Sequence, residues 1–147
     1  MPQFARPDAD LVDGNWVKST GGNVDLFSMV DEASFDDADY IESGLAPSSD
    51  ACALRLSDVE DPQSSSSHVV RWRHGKDVAG GAQIDLTVQL RQGYVNESTQ
   101  GTLIAGVTRA NLTGGSWTAD SFTLSGAEAD AITDYTDLAI RLVASQV

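Results

Sequence analysis

Between Ala82 and Arg91 the chain alternates strictly. Ile84, Leu86, Val88 and Leu90 fall on one side of an extended backbone, and Asp85, Thr87, Gln89 and Arg91 on the other. Successive strand side chains point to opposite faces, so this is a strand with one buried and one wet face. A helix would scatter the four apolar residues around its circumference. Gly80-Gly81 before the stretch and Gly93 after it predict turns at both ends.

Further strands follow from the same pattern. Ala51–Val59 sets Cys52, Leu54 and Leu56 against Ala53, Arg55 and Ser57. His68–His74 turns Val70 and Trp72 inward. Thr102–Arg109 turns Leu103, Ala105 and Val107 inward. Trp117–Leu124 does so with Phe122 and Leu124, and Asp137–Val143 with Leu138, Ile140 and Leu142. Tyr40-Ile41-Glu42 reads as a short strand after an acidic turn. Val24–Glu32 suits either a strand or a single helical turn. Ser125-Gly126-Ala127-Glu128 fits a capping box and predicts a short helix to about Ile132. Glu60–Ser67 is a polar connection and Gly93–Gly101 a hairpin loop. The expected fold is all-β: an antiparallel β-sandwich or jelly roll of about eight strands, with one short helix near the C-terminus. Residues 1–23 read as an extended N-terminal arm, held straight by Arg6-Pro7 and anchored by Trp16, and residues 24–147 as the sandwich domain. On this reading, removing residues 1–17 leaves the sandwich folded.

A chain of 147 residues, 41% of them hydrophobic, makes one domain with a real core. No apolar run is long enough to cross a membrane, and the first residues lack the apolar segment of a secretory signal. Cys52 is alone, so no intrachain disulfide forms. Net charge is −13, and residues 1–61 hold 14 of the 22 acids. Such a surface repels nucleic-acid phosphates and anionic lipid, which leaves neither as an expected partner. It serves solubility or meets a basic partner surface.

Tests for chemistry return little. Asp36-Asp37, with Asp31, Glu32 and Asp39 nearby, offers oxygen ligands of the kind Ca²⁺ takes, but not at EF-hand spacing. The alternative is an acidic turn whose Asp side chains cap backbone amides. His68 and His74 lie on one face of a straight strand, about 20 Å apart by the strand rise, too far to share a metal. No nucleophile elbow, P-loop or dinucleotide-binding glycine pattern occurs. No catalytic residue, metal or cofactor is expected. Asn96-Glu97-Ser98 and Asn111-Leu112-Thr113 match the glycosylation acceptor pattern and, without a secretion signal, read as chance matches. Arg71-Trp72-Arg73-His74-Gly75-Lys76 is the one basic cluster. With Trp72 inward, Arg71 and Arg73 project together and suit an acidic partner patch, or else a solvated strand face.

Arg6-Pro7-Asp8-Ala9-Asp10, Trp16, Asp31-Glu32, Asp36–Ile41 and Asp134–Leu138 with Arg141 together resemble small β-sandwich proteins among the structural proteins of tailed bacteriophages. The resemblance spans most of the chain, and its motifs mark a fold and a context. It implies a virion component: a capsid decoration (cement) protein on the capsid surface, or a related minor structural protein, that binds the major capsid protein, as a homo-oligomer or with neighbouring copies in contact on the shell. The expected partner-binding residues are Arg6, Asp8, Asp10, Trp16, Arg71 and Arg73. The alternative is a carbohydrate-binding module that stacks sugars on Trp16, Trp117, Tyr94 or Tyr135. An enzyme is the third and weakest class.

Overall fold

The strand around which the chain is read is central in the fold. In the computed structural model, which describes residues 1–78 and 81–147, β6 spans Ile84–Gln92 with Leu86, Val88 and Leu90 buried. Gly80, expected to open this strand, lies outside the described residues. The remaining strands are β1 (Pro7–Val12), β2 (Val17–Lys18), β3 (Ile41–Glu42), β4 (Asp50–Leu56), β5 (Val69–His74), β7 (Thr102–Arg109), β8 (Thr118–Thr123) and β9 (Leu138–Gln146). Five of them form an antiparallel sheet in the order β1-β4-β9-β6-β7. Two antiparallel ribbons, β2-β3 and β5-β8, complete the strands. The fold is all-β, with nine strands among the described residues where about eight are expected.

The sandwich is asymmetric. One face of the five-stranded sheet presents Cys52, Leu54, Leu86, Val88, Leu142 and Ala144. Val70, Trp72 and Phe122 of the β5-β8 ribbon pack onto it, as the alternation predicts. Trp16, Leu26 and Leu112 cover the same face at one end. At the other end Leu56, Leu90, Ile104 and Leu138 meet Leu124, Ala129 and Ile132. Ala129 belongs to α1 (Gly126–Asp130), which carries the expected capping box: Ser125 Oγ accepts from the Glu128 amide, and the Glu128 carboxylate accepts from the Ser125 amide. The ambiguous stretch at Val24–Glu32 forms a 3₁₀ turn, Leu26–Met29.

Leu103 departs from the expected pattern. It is half exposed, and Ile104 beside Ala105 takes the buried position. A bulge is the cause. Leu90 pairs with Ala105 and Arg91 with Leu103, so Ile104 has no partner across the ladder and the inward face shifts by one residue.

The N-terminal stretch is extended, but it is woven into the domain and does not stand off as an arm. Pro7–Val12 is the edge strand β1, paired with β4. Trp16 is 6% exposed and its Nε1 donates to the Asp50 carbonyl. The Asp50 carboxylate is itself buried and accepts from the Asn15 and Gly44 amides. Gly14 is fixed by this packing: its φ is +56°, and a Cβ there would lie 2.2 Å from the Ala51 carbonyl oxygen. Residues 7–17 are therefore built into the domain, through β1 and the buried Trp16, contrary to the expectation that residues 1–17 can be removed.

The outer face of the sheet is wet but tied down. The Tyr94 hydroxyl donates to the Glu97 carboxylate, which also takes Arg141 Nε at 2.9 Å. Gln89 Oε1 accepts from Arg91 Nε at 2.9 Å and from Arg141 Nη1 at 3.3 Å. Arg141 holds the Glu97 carboxyl below its ordinary range, and burial pushes the Tyr94 hydroxyl up. Tyr94 and Leu11 thereby cover Ala53 and Ala139, so Ala53, expected on the wet face, is fully buried.

Trp16→Ala is expected to cost about 3–5 kcal/mol, the usual loss for a large buried aromatic. Deleting residues 1–17 should abolish cooperative unfolding, because it also strips β4 of its edge partner. Denaturant titration followed by far-UV circular dichroism checks both, and a cooperative melt of the truncated chain would contradict the packing described.

Candidate functional site

Of the six residues expected to bind a partner, four serve the fold. The Arg6 amide donates to Ser57 Oγ, its carbonyl accepts from the Ser57 amide, and its guanidinium lies 5.4 Å from the Phe4 ring centre. Asp8 forms a two-pronged pair with Arg55 at 2.9 and 2.8 Å, and that cation holds its carboxyl below the ordinary value. The pair is well exposed, so it adds little stability. Asp10 accepts from the Leu26 and Phe27 amides, both at 2.8 Å, and so fixes the 3₁₀ turn. Trp16 is core.

Arg71 and Arg73 are different. Both occupy odd positions of β5, so they share the face of the β5-β8 ribbon opposite Val70 and Trp72. Arg73 grips Asp37 through two hydrogen bonds of 2.7 Å, and its guanidinium sits 5.5 Å from the Phe35 ring centre. Directly across the ladder is Ala119, and two residues before it on the same face comes Trp117. Trp117 leans on Tyr40, with ring centres 5.3 Å apart. Gly75 lets the segment carrying the indole approach closely, because any Cβ there would lie 2.7 Å from the Ser116 carbonyl oxygen. Arg71 is exposed and makes no ion pair among the described residues.

The result is a patch of two arginines and three aromatics. Phe35 is 61% exposed and Trp117 38%. The acidic turn supplies two of its members. Within that turn Asp36 Oδ1 caps the Ala38 amide at 2.9 Å while Asp37 is committed to Arg73. No group of three or more His, Cys, Asp or Glu side chains is arranged to hold a metal ion among the described residues. Phe35 escapes the sequence reading. The available signal was a large aromatic stranded in a polar turn, Ser34-Phe35-Asp36-Asp37, where no periodicity buries it. Of the aromatics considered for sugar stacking, Trp16 and Tyr94 are buried and Tyr135 is held by His68, its hydroxyl 2.8 Å from Nε2. Trp117 alone of the four stays in the patch.

Beneath the ribbon a polar cluster fixes its position. Arg109 of β7 makes a two-pronged pair with Asp120 of β8, at 2.5 and 2.9 Å, and stands 5.7 Å from the Trp72 ring centre. His74 Nε2 lies 3.4 Å from Asp120 Oδ2, and neither ring nitrogen has a hydrogen bond. His68 and His74 thus face different partners at opposite ends of β5. The arrangement orients the ribbon, and it presents a surface in place of a cleft.

Arg109 lowers the Asp120 carboxyl to about 2. The folded state thus prefers the ionised form more than the unfolded chain does. The stabilisation is complete above the ordinary value of 3.8 and is lost as pH falls through about 2. Asp120→Asn should lower stability at neutral pH and flatten the acid loss across that window. Thermal melts between those pH values check it, and an unchanged acid profile would dissociate Asp120 from the pair.

Comparison of the chain with protein-family models, with curated proteins and with solved structures finds no match.

Proposed function

We propose that this protein is a virion structural component of the tailed-bacteriophage type: a capsid decoration (cement) protein that sits on the outside of the shell, binds the major capsid protein and stabilises it. The observation that carries this reading is the patch of Arg71, Arg73, Phe35, Tyr40 and Trp117 on the outer face of the β5-β8 ribbon. Exposed arginine and aromatic side chains are the residues that protein interfaces favour as anchors. Asp37 already fixes Arg73 in place, so the patch loses little side-chain freedom on docking. Arg71 is the cation left to meet an acidic group of the partner. No bond is made or broken in this role. Many copies each add a modest contact, and multivalency on one shell turns modest contacts into a persistent coat.

A second reading keeps one observation. Trp117 backed by Tyr40 is an exposed ring of the kind that stacks on a sugar face, which supports a carbohydrate-binding module.

The two readings part on one pair of measurements. Trp117→Ala and Arg71→Glu are each expected to lower occupancy on assembled shells of the cognate major capsid protein, with affinity reduced about tenfold or more, the loss that hot-spot truncation gives. Both variants should melt as the wild type does, because neither side chain is in the core. Unchanged occupancy in both would remove the patch from the shell contact. Glycan-dependent quenching of tryptophan fluorescence, lost in Trp117→Ala, would favour sugar binding instead.

A further inference from the structure

The two edges of the five-stranded sheet are built differently. β1, at one edge, is blunted. It begins at Pro7, which has no amide to donate, and two register shifts break its ladder with β4. It carries Asp8 and Asp10, and the Leu26–Met29 turn is hydrogen-bonded to Asp10. These are the devices by which natural sheets keep an edge from pairing with another chain. β7, at the other edge, has fewer of them. Its eight residues include no Pro and no acid, its one charge is Arg109 at the end of the strand, and its ladder with β6 has one register shift where that of β1 with β4 has two. It pairs with β6 alone, and no other backbone group among the described residues hydrogen-bonds to it. Thr102, Ile104, Val107 and Thr108 give it the β-branched content that suits a strand.

Charge sets this edge apart as well. From Ser98 to Ala119 the chain has no acidic residue and one cation, Arg109, in a molecule of net charge −13. Any two copies repel across most of their surfaces. At β7 that repulsion is weakest. Leu103, 49% exposed, adds apolar surface beside the edge on the outer face of the sheet.

We infer that the free edge of β7 pairs antiparallel with β7 of a second copy, joining two five-stranded sheets into one continuous sheet. A two-fold axis brings the same segment against itself, so a strand with no acid, whose one cation Arg109 lies at its end and is already paired with Asp120, is complementary to its own copy without further provision. An unrelated strand would have to supply its own match, and nothing on this edge selects for one. The backbone ladder gives the affinity, and the small residues Ala105 and Gly106 in the middle of the strand let the two copies approach. This contact is between copies of the chain and is independent of what the aromatic–arginine patch binds.

The test is sedimentation velocity on the full chain over about two decades of concentration, with amide hydrogen exchange on the same samples. A concentration-dependent dimer is expected. Leu103→Glu sets a carboxylate beside the seam in both copies and should weaken dimerisation about tenfold. Arg71→Glu, on the far layer, should leave it unchanged. Wild-type β7 amides should gain protection as concentration rises, which needs no variant to fold. A wild type that stays monomeric throughout overturns the inference. So does a dimer whose β7 amides gain no protection, or one that Arg71→Glu dissolves while Leu103→Glu does not. Protection of β7 only when a different protein is added would assign the edge to a foreign strand and overturn it too.

Discussion

The fold depends on one central strand that pairs with both its neighbours. β9, the final strand, lies between β4 and β6, and it alone joins the two halves of the main sheet. Without it the chain holds a β1-β4 ribbon and a β6-β7 ribbon with no ladder between them. Its register runs from Ile84 opposite Gln146 to Gln92 opposite Leu138, and from Asp50 opposite Ala144 to Arg55 opposite Ala139. Both sets of pairs cross long stretches of sequence, so loop-closure entropy opposes them until the hydrophobic face is buried. What repays it is that the central inward residues of β9 meet inward residues on both neighbours: Leu142 with Cys52 and Val88, and Ile140 with Leu54 and Leu90. A slip by one residue would turn that whole row to solvent. The register is therefore set by the core and not by any turn.

That dependence explains what could be read in the sequence. β6 alternates strictly because one of its faces is covered, and it was legible from period alone; β9 showed Leu138, Ile140 and Leu142 at the same spacing, with Ala139 and Val143 apolar between them. The capping box of α1 was legible because its chemistry is local. Leu103 was not. Its side is decided by a bulge, and a bulge is a relation between two strands, invisible in either one. The course of residues 1–17 was hidden for a similar reason. Nothing in Asp8-Ala9-Asp10 shows that Arg55 and the Leu26–Met29 turn await these carboxylates. The arginines of β5 were found because they share one strand, while the aromatics beside them come from the turn before β3 and from the residue just before β8 and meet only in three dimensions.

The acidic half takes on a second meaning once its partners are known. Between β1 and β4 the chain has only one 3₁₀ turn and two strands of two residues each. Such a segment leaves many backbone amides without a ladder, and a buried or half-buried amide needs an acceptor. Aspartate supplies it. Asp10 serves Leu26 and Phe27, Asp50 serves Asn15 and Gly44, and Asp36 serves Ala38. Asp13 bonds Asn23, and Asp37 secures the loop to Arg73. Much of the charge that looked like a solvating coat is therefore internal wiring for an irregular region.

The acids left over still shape association. Glu32 shows the tension: burial pushes its carboxyl up while Asp31, Asp39 and Asp36 press on it with like charge. A surface so charged tolerates close approach only where acids are absent or are answered by a cation. Two such places lie on different layers of the fold. One is the β7 edge, where no carboxylate stands. The other is the outer face of the β5-β8 ribbon, where Asp37 is neutralised by Arg73 and Arg71 is in excess. The first belongs to the main sheet and the second to the opposite layer, with the core between them. A copy held by its β7 edge would keep its ribbon face open, so the proposed adhesion to a shell and the inferred contact between copies draw on different residues.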